Sequence, residues 1–583
     1  MQMIKTLAKC IREYKKPAIL APVIIAGEVA IECVIPFVTA ELVRNIQAGC
    51  ELSVIVKYGL ILLLLAAASL TCGALAGHFA AIAGCGFAKN VRHDAYCAIQ
   101  GYSFSNMDKF STAGLVTRLT TDITYVQMSF MMIIRTAIRS PMMLIFALIM
   151  AISVSPKMSF AFAVVIPVLA IGLFLIFKNA HPIFKTVFKK YDNLNNSVEE
   201  NVSGMRVVKS FVREDYEREK FKKASDDVAD GFTRAEKILA LNSPIMQFCF
   251  NALMLMVCFF GSQLIIKSNQ AELDIAGFSA LLTYGAQILM SLMMLSMIIV
   301  TLTISAESAS RLAEILNEES AIQNPLHPVT DVRDGSIVFD KVSFSYSKAA
   351  EKKSLSDIDL FIASGETVGI VGGTGSGKTS MVQLISRLYD VTEGSVKVGG
   401  VDVREYDIET LRNEVSVVLQ KNVLFSGTIK DNLRWGDKNA TDEDMVRICK
   451  LAQAHEFIES FPDKYDTYIT QGGTNVSGGQ KQRLCIARAL LKKPKILILD
   501  DSTSAVDTKT DALIRRAFAE EIPDTTKIII AQRISSVEHA DKIIVLDGGK
   551  IESVGNHEEL LVKSHIYKEI YDSQTKGAQD NEE

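Results

Sequence analysis

The fold of the carboxyl-terminal half is decided by one stretch, Gly372-Gly373-Thr374-Gly375-Ser376-Gly377-Lys378-Thr379. It follows an apolar run at residues 367–371 and precedes a helical pattern at residues 380–388. This strand–loop–helix order is the context that a phosphate-binding P-loop requires. Its glycines let backbone N–H groups approach phosphate oxygens, Lys378 can reach the outer phosphates, and the Thr379 hydroxyl can bind Mg²⁺. The sequence therefore predicts an α/β domain that binds a nucleoside triphosphate with Mg²⁺.

Two further motifs follow the P-loop. A second apolar strand at residues 496–499 ends in Asp500, and a carboxylate at a strand end opposite a P-loop is the expected Mg²⁺ partner. Between the two strands lies Ser477-Gly478-Gly479-Gln480, directly before a helical pattern. This tetrapeptide closely resembles the signature motif of the ABC transporters. The motif is more specific than a P-loop, because P-loops occur in many unrelated ATPases and GTPases.

The resemblance to ABC transporters implies roles for further residues. Ser477 and the backbone N–H groups after it would face the γ-phosphate of an ATP held by another subunit. Tyr346 matches the aromatic residue that stacks on adenine, and Gln420 matches the glutamine that touches Mg²⁺ and the attacking water. Residues 504–507 resemble the loop that crosses the dimer interface. Residues 104–122 and 199–221 resemble the two cytoplasmic loops whose short coupling helices dock on the ATP-binding domains.

The positions that this resemblance assigns to ATP and Mg²⁺ form one set. Mg²⁺ would be held at Thr379, Gln420 and Asp500. The nucleotide would contact Tyr346, Gly372, Gly373, Thr374, Gly375, Ser376, Gly377, Lys378, Thr379, Ser380, Gln420, Asp500 and, from the signature, Ser477, Gly478, Gly479 and Gln480.

Two departures from the family pattern fall on the residues that carry the chemistry. The catalytic glutamate of the family is here Asp501, whose side chain is one methylene shorter. The switch histidine is here Gln532, an amide that can hydrogen-bond phosphate but cannot carry charge. A third departure, Gln471-Gly472-Gly473, replaces a charged loop upstream of the signature. The sequence therefore predicts that nucleotide binding is kept and that hydrolysis at this chain's own site is impaired.

The first half of the chain is dominated by apolar stretches. Six of them reach the roughly 20 residues that a helix needs to cross the hydrocarbon core. They are residues 17–42, 56–83, 127–153, 158–177, 244–266 and 275–304. The connection at residues 178–242 is rich in Lys and Arg, and positive charge accumulates on the cytoplasmic side. Both termini are therefore expected inside, in a multi-pass protein of a bacterial inner or plasma membrane.

Charged residues inside these stretches need a reason, because burying them in a membrane is costly. Glu28 and Glu32 lie four residues apart in the first stretch, as do Arg135 and Arg139 in the third. They indicate either a polar translocation cavity with an ion pair between two spans or contacts that only set helix registry. Methionines at 290, 293, 294 and 297 form either an adaptable pocket or an ordinary stripe that faces lipid or the helix core.

The predicted architecture is an all-α six-helix transmembrane domain (residues 1–320), an α/β ATP-binding cassette domain (residues 335–575) and an acidic, disordered tail (residues 576–583, with disorder expected from Tyr571 on). The net charge of −4 argues against a nucleic-acid partner. We expect one subunit of a heterodimeric exporter of drug-like or lipid-like small molecules, surrounded by membrane lipid and paired with a second half-transporter. A self-sufficient homodimeric transport ATPase and an ATP-gated channel or regulatory subunit remain alternatives.

Overall fold

The computed structural model describes residues 2–347, 352–501 and 506–579. The chain forms two compact units. One contains Met1–Gln100 and Thr112–Glu318, and the other contains Gly101–Ser111 and Glu319–Glu583.

The first unit is built from helices. In chain order, with the one short helix that belongs to the second unit marked, they are α1 (Gln2–Lys9), α2 (Lys15–Gln47), α3 (Leu52–Gln100), α4 (Phe104–Lys109, second unit), α5 (Thr112–Thr117), α6 (Ile123–Val154), α7 (Ser159–Ser203), α8 (Met205–Ser210), α9 (Glu214–Leu239), α10 (Asn242–Lys267) and α11 (Ile275–Asn317).

Six helical stretches within the described residues are long and apolar enough to cross a membrane, which confirms the number expected from the sequence. Several helices are far longer than a span requires. The 49 residues of α3 correspond to roughly 70 Å at about 1.5 Å per residue, against a hydrocarbon core of about 30 Å. The connection at residues 178–242 is itself largely helical, because α7 continues to Ser203 and α9 covers Glu214–Leu239. These helices therefore extend well beyond any membrane that they cross.

Polar contacts join the long helices at two positions along α11. The hydroxyl of the fully buried Tyr284 on α11 donates to the carbonyl of Cys33 on α2 at 2.8 Å. Where α6 begins, Asp122 is buried and accepts hydrogen bonds from Ser308 and from Nε of Arg311 on α11, both at 2.8 Å. A buried carboxylate needs such partners, because an unpaired charge is costly to desolvate. These contacts fix α11 against α2 and α6.

The second unit contains all the strands of the described chain. They are β1 (Ile337–Phe344), β2 (Leu355–Ile362), β3 (Thr367–Gly372), β4 (Glu393–Val398), β5 (Val401–Asp402), β6 (Val415–Val418), β7 (Gly427–Thr428), β8 (Tyr468–Ile469), β9 (Ile496–Asp500), β10 (Thr526–Ile530), β11 (Lys542–Asp547) and β12 (Lys550–Gly555).

Its remaining helices surround the strands. They are α12 (Lys378–Ile385), α13 (Ile408–Glu414), α14 (Ile429–Leu433), α15 (Asp442–Leu451), α16 (His455–Glu459), α17 (Gly478–Leu491), α18 (Thr508–Glu521), α19 (His557–Lys563) and α20 (His565–Gln579).

The main sheet has six strands in the order β12-β11-β3-β10-β9-β6. All neighbouring pairs are parallel except β11 with β12, and each parallel strand is almost entirely buried. A second sheet, β2-β1-β4-β5, is antiparallel. In a parallel sheet, ligand sites form at the carboxyl ends of the strands. The loops that follow β3, β6, β9 and β10 therefore meet at one edge of the main sheet.

One expectation from the sequence is wrong. Disorder is expected after Tyr571, but α20 continues to Gln579, and residues 580–583 of the predicted tail lie outside the described residues. The reason lies in the first half of α20, where Tyr567 is fully buried and Ile570 and Tyr571 pack against the same core. An anchored first half lets the polar second half of the helix continue.

Candidate functional site

The P-loop connects β3 to α12, as the sequence predicts. Gly372 and Gly377 have positive φ values of 152° and 99°, and a Cβ at Gly377 would lie 2.7 Å from the carbonyl oxygen of Ser354. Only glycine fits there without strain. A Cβ at Gly373 or Gly375 would meet no atom within 4 Å, so the concave side of the loop is open. The loop thus forms an open cradle in front of α12.

Lys378, the first residue of α12, points back into this cradle. Its Nζ atom donates to the carbonyl oxygens of Gly372 and Gly373, both at 2.8 Å. Burial lowers the pKa of Lys378, and the carboxylates of Asp500 and Asp501 act in the opposite direction. A half-buried ammonium ion at the start of a helix within the P-loop is suited to a polyanion such as a nucleoside triphosphate.

Two residues that the sequence assigns to Mg²⁺ lie together. Thr379 Oγ1 donates to Asp500 Oδ1 at 3.2 Å. Asp500 ends β9 and is 2% exposed, and burial raises the pKa of its carboxyl group. A hydroxyl oxygen and a buried carboxylate are the hard oxygen ligands that Mg²⁺ prefers. The donor set therefore fits the ion.

The P-loop also contains a buried polar atom without a partner. Ser376 Oγ is buried and has no hydrogen-bond partner among the described residues. A buried hydroxyl normally has a hydrogen-bond partner, so one without a protein partner is suited to bind a ligand atom. A phosphate oxygen in the cradle is a suitable partner, and the residues present therefore fit a nucleotide phosphate.

Asp501 and Gln532, the two residues that depart from the family pattern, contact each other. Gln532 follows β10, and its Nε2 atom donates to Asp501 Oδ2 at 2.8 Å. Gln420, which follows β6, also hydrogen-bonds the Asp501 carboxylate. Burial raises the pKa of Asp501, while these hydrogen bonds and Lys378 oppose the rise. The structure thus collects Gln420, Asp501 and Gln532 from three neighbouring strand ends.

Asp501 has an unusual backbone. Its φ is 49°, in the left-handed region that few residues other than glycine adopt, although aspartate does so more often than most. Its N–H donates to the carbonyl of Ile530 on the next strand at 3.1 Å, which holds this conformation. Strain of this kind concentrates at functional sites and orients a side chain that a regular strand would direct elsewhere.

Tyr346 lies in an aromatic cluster beside α12. Its hydroxyl lies 2.9 Å from Ser380 Oγ and 3.1 Å from Gln383 Oε1. The ring is half exposed and makes edge contacts with Phe344 and Tyr389, at centroid distances of 4.8 and 5.1 Å. An exposed aromatic face held at the edge of the P-loop can stack on a planar base.

Tyr389 and Asp108 were not singled out from the sequence. The hydroxyl of Tyr389 donates to Asp108 Oδ2 at 2.6 Å, and its ring lies 6.1 Å from that of Phe104. Burial raises the pKa of Tyr389 further than the neighbouring carboxylate does. Both contacts reach α4, the short helix within residues 104–122. The closeness of Tyr389 to the P-loop in sequence was the available clue, but its partner lies 281 residues away.

The signature tetrapeptide begins α17 with a complete capping box. Ser477 Oγ accepts from the N–H of Gln480 at 3.2 Å, and Gln480 Oε1 accepts from the N–H of Ser477 at 2.9 Å. Ser477 and Gly478 are exposed, and Gly479 and Gln480 are half buried. The positive end of the α17 dipole is therefore presented to solution, where it can meet an anion. In the described residues, both cap hydrogen bonds stay within the tetrapeptide.

The loop after β9 is described only in part. Ser504 and Ala505 of the predicted interface loop lie outside the described residues. Val506 is buried, and Asp507 caps α18 by accepting from the N–H of Thr510 at 2.9 Å. Upstream of the signature, residues Gln471–Gly473 form a short helical turn, and Lys481 Nζ donates to the carbonyl of Gly472 at 2.7 Å.

The charged residues of the membrane half form one ion cluster. Nη1 of Arg139 donates to Glu28, and Nη2 donates to both oxygens of Glu32 at 2.8 Å. The three side chains are 34%, 11% and 23% exposed, respectively. The ion pair between the first and third spans is thus present. Arg135 is exposed and makes no ion pair among the described residues.

Comparisons with known proteins agree with this geometry. A family model described as the ABC transporter transmembrane region matches residues 18–303, and a second, described as ABC transporter, matches residues 355–504. The uncharacterized ABC transporter ATP-binding protein YfiB of Bacillus subtilis is 33% identical over 564 residues, which are 97% of each chain. YheI of the same organism, described as a probable multidrug resistance ABC transporter ATP-binding/permease protein, is 34% identical over 468 residues, 80% of this chain and 79% of YheI.

A solved structure has the same fold. It is that of a bacterial Atm1-family ABC exporter with ATP bound, which superposes with a TM-score of 0.83 at 22% identity. The match covers 97% of this chain and 98% of the exporter chain.

Proposed function

This chain belongs to the ABC transporter family, and on that premise we propose that it is one subunit of a heterodimeric exporter whose own nucleotide site binds ATP but hydrolyses it slowly. It is a multi-pass membrane protein with an ABC-type ATPase domain. The contact of Gln532 with Asp501 supports the impaired site, the intact signature supports the second subunit, and exposed methionines on α11 support the class of cargo.

The observation that carries the proposal is the contact between Asp501 and Gln532. A general base must lie within about 2.6–3.2 Å of the proton that it takes. The aspartate has about 1.3 Å less reach than a glutamate, and displacement by about 1 Å can cost on the order of 10²-fold in rate. One of its oxygens also accepts the Gln532 amide at 2.8 Å. A carboxylate that is short and already hydrogen-bonded is a poor base.

The residues proposed to bind the nucleotide, by contrast, are all present in the sequence. Lys378 and the P-loop N–H groups would hold the phosphates, Thr379 and Asp500 with Gln420 would hold Mg²⁺, and the exposed face of Tyr346 would stack on adenine. Bound Mg²⁺ supplies charge neutralisation of the outer phosphates. The site is therefore suited to retaining ATP rather than turning it over.

The intact signature supports a second subunit. In this family, the signature serves the ATP held by the opposite subunit. Here the Ser477 capping box is complete while the chemistry-bearing positions 501 and 532 have changed. The chain is thus equipped to complete a site whose catalytic glutamate and histidine come from a partner. Such a division of labour is what an asymmetric pair of half-transporters requires.

The cargo is proposed to be a small, largely apolar molecule. Met290, Met294 and Met297 on α11 are 61%, 47% and 60% exposed in this chain. Flexible, polarizable methionine side chains adapt to varied apolar ligands. The description of YheI as a probable multidrug resistance transporter agrees with this class of cargo. We also propose that the chain lies in a bacterial inner membrane with both of its termini on the cytoplasmic side.

Transport is the experiment that tests an exporter against an ATP-gated channel or regulatory subunit. The complex of this chain with its partner should accumulate ethidium in inverted vesicles only when ATP and Mg²⁺ are supplied. The ion cluster provides the variant. Arg139→Gln should reduce transport at least tenfold and leave ATP binding within twofold, because two partly buried carboxylates lose their counter-charge.

Two further variants separate an effect on transport from an effect on folding. Glu28→Gln, Glu32→Gln and Arg139→Gln combined remove all three charges and should recover folding yield but not transport. Arg44→Gln serves as a control, because Arg44 pairs with Asp274 and lies outside the cluster. If the triple variant transports ethidium as well as the unmodified chain does, the cluster has only a registry role. ATP-independent flux of ethidium would instead indicate a channel.

A further inference from the structure

We infer that Gln574 is a positioning residue that holds the segment carrying Gln532. Its Nε2 atom donates to the carbonyl oxygen of Gln532 at 2.7 Å, and its Oε1 atom accepts from the N–H of Ile534 at 2.9 Å. One amide side chain thus binds the backbone on both sides of Arg533. Both contacts join residues about 40 positions apart in sequence, at the carboxyl end of β10.

The helix that presents Gln574 is firmly anchored. Tyr567 on α20 is fully buried, and its hydroxyl lies 2.7 Å from Nδ1 of His557. Tyr571 lies four residues further along and packs against the same core. Gln574 follows at the next position of this helical face, because residues at i, i+4 and i+7 lie on one side of a helix. The well-packed helix α20 therefore holds the Gln574 amide against residues 532–534.

The segment that Gln574 holds leads directly to the nucleotide site. The side chain of Gln532 donates to Asp501 at 2.8 Å, so the backbone hydrogen bonds and the side-chain hydrogen bond form one chain from α20 to the end of β9. Ile534, the last residue of this segment, is buried in the core. Fixing the backbone at residues 532–534 restricts where the Gln532 amide can point.

The consequence concerns discrimination between ATP and ADP. This step rests on the proposed function, in which this site holds ATP: one hydrogen of the Gln532 amide is donated to Asp501, and the second is proposed to be donated to the γ-phosphate. A fixed amide donor favours ATP, because ADP has no γ-phosphate to accept from it. Gln574 would then act through Gln532 and contact neither nucleotide nor metal. Helix α20 thus contributes to how tightly this site retains ATP.

The test uses the full-length chain in detergent and the variant Gln574→Met. Methionine keeps the length and packing of the side chain but removes both hydrogen bonds. Hydrogen–deuterium exchange of the nucleotide-free chain, read in the peptide covering residues 532–537, should become about fivefold faster, which is the factor that corresponds to one net hydrogen bond. Thr575→Val is the matched control, because within the described part of the chain the Thr575 hydroxyl bonds only the Tyr571 carbonyl of its own helix.

Binding of fluorescent MANT-ATP and MANT-ADP gives the functional readout. Gln574→Met should raise the Kd for MANT-ATP about fivefold and leave that for MANT-ADP unchanged. Gln574→Glu keeps the acceptor for Ile534 and loses the donor, and it should lie between methionine and the unmodified chain. Unchanged exchange in both Gln574 variants would overturn the proposal, as would equal weakening of ATP and ADP. Neither readout needs a second subunit, so failure of the heterodimer proposal would be seen separately.

Discussion

Ser477→Arg is expected to abolish most of the ATPase activity of the complex that this chain forms with its partner, whereas Asp501→Asn is expected to reduce it by less than twofold. Ser477 caps α17 and lies at the exposed positive end of that helix. A bulky cation there would occupy the place of the γ-phosphate contact at the partner's active site. Asp501, in contrast, belongs to the site that contributes little turnover. Steady-state ATPase of the co-purified complex measures both.

A helix cap is also worth about 0.5–2 kcal/mol to stability, so the loss of a cap needs its own control. Thr441 provides one, because it caps α15 with the same reciprocal arrangement, in which Asp444 is the partner. Thr441→Arg should cost a similar amount of stability and leave most of the ATPase activity. The asymmetric account fails if Asp501→Asn is the more damaging change, or if Thr441→Arg is as damaging as Ser477→Arg.

Lys378→Ala is expected to weaken ATP binding to this chain by at least a hundredfold. The ammonium group lies inside the P-loop, and charge-assisted hydrogen bonds to an anion are worth about 1.5–3 kcal/mol each. Two such contacts, proposed to the β and γ phosphates, would be lost together. Photolabelling of the full-length chain with an azido-ATP analogue, quantified over a concentration series, measures the effect.

Lys438→Ala is the matched control for this labelling, because Lys438 is an exposed lysine of the same unit. It should label as the unmodified chain does. Undiminished labelling of Lys378→Ala at low analogue concentration would show that the P-loop of this chain is not where its ATP binds.

The fold could be predicted from the sequence because its signals are local. The apolar stretches exceed the length of a membrane span, and the P-loop lies between a strand and a helix, so both the six spans and the α/β sheet were foreseen and are present. Residues Gln420, Asp501 and Gln532 each follow a buried strand of that sheet. Their meeting at one edge follows from parallel strand order, which a motif search alone does not give.

The details that escaped prediction depend on tertiary contacts. The sequence placed two glutamates and two arginines in facing spans, but only Arg139 pairs with both glutamates, because the stagger and rotation of two helices decide which residues meet. The contact of Tyr389 with Asp108 joins residues 281 positions apart. The continuation of α20 was missed because its polar composition hid the anchoring by Tyr567 and Tyr571.

Vanadate trapping tests the central claim of an ATP-retaining site most directly. Orthovanadate captures ADP only at a site where ATP has been hydrolysed, so the complex would be incubated with azido-ATP, Mg²⁺ and vanadate, then washed, irradiated and separated into subunits. The account predicts that trapped azido-ADP is found on the partner, with less than a tenth as much on this chain, which instead retains unhydrolysed azido-ATP. Equal trapping of azido-ADP on both subunits would contradict it.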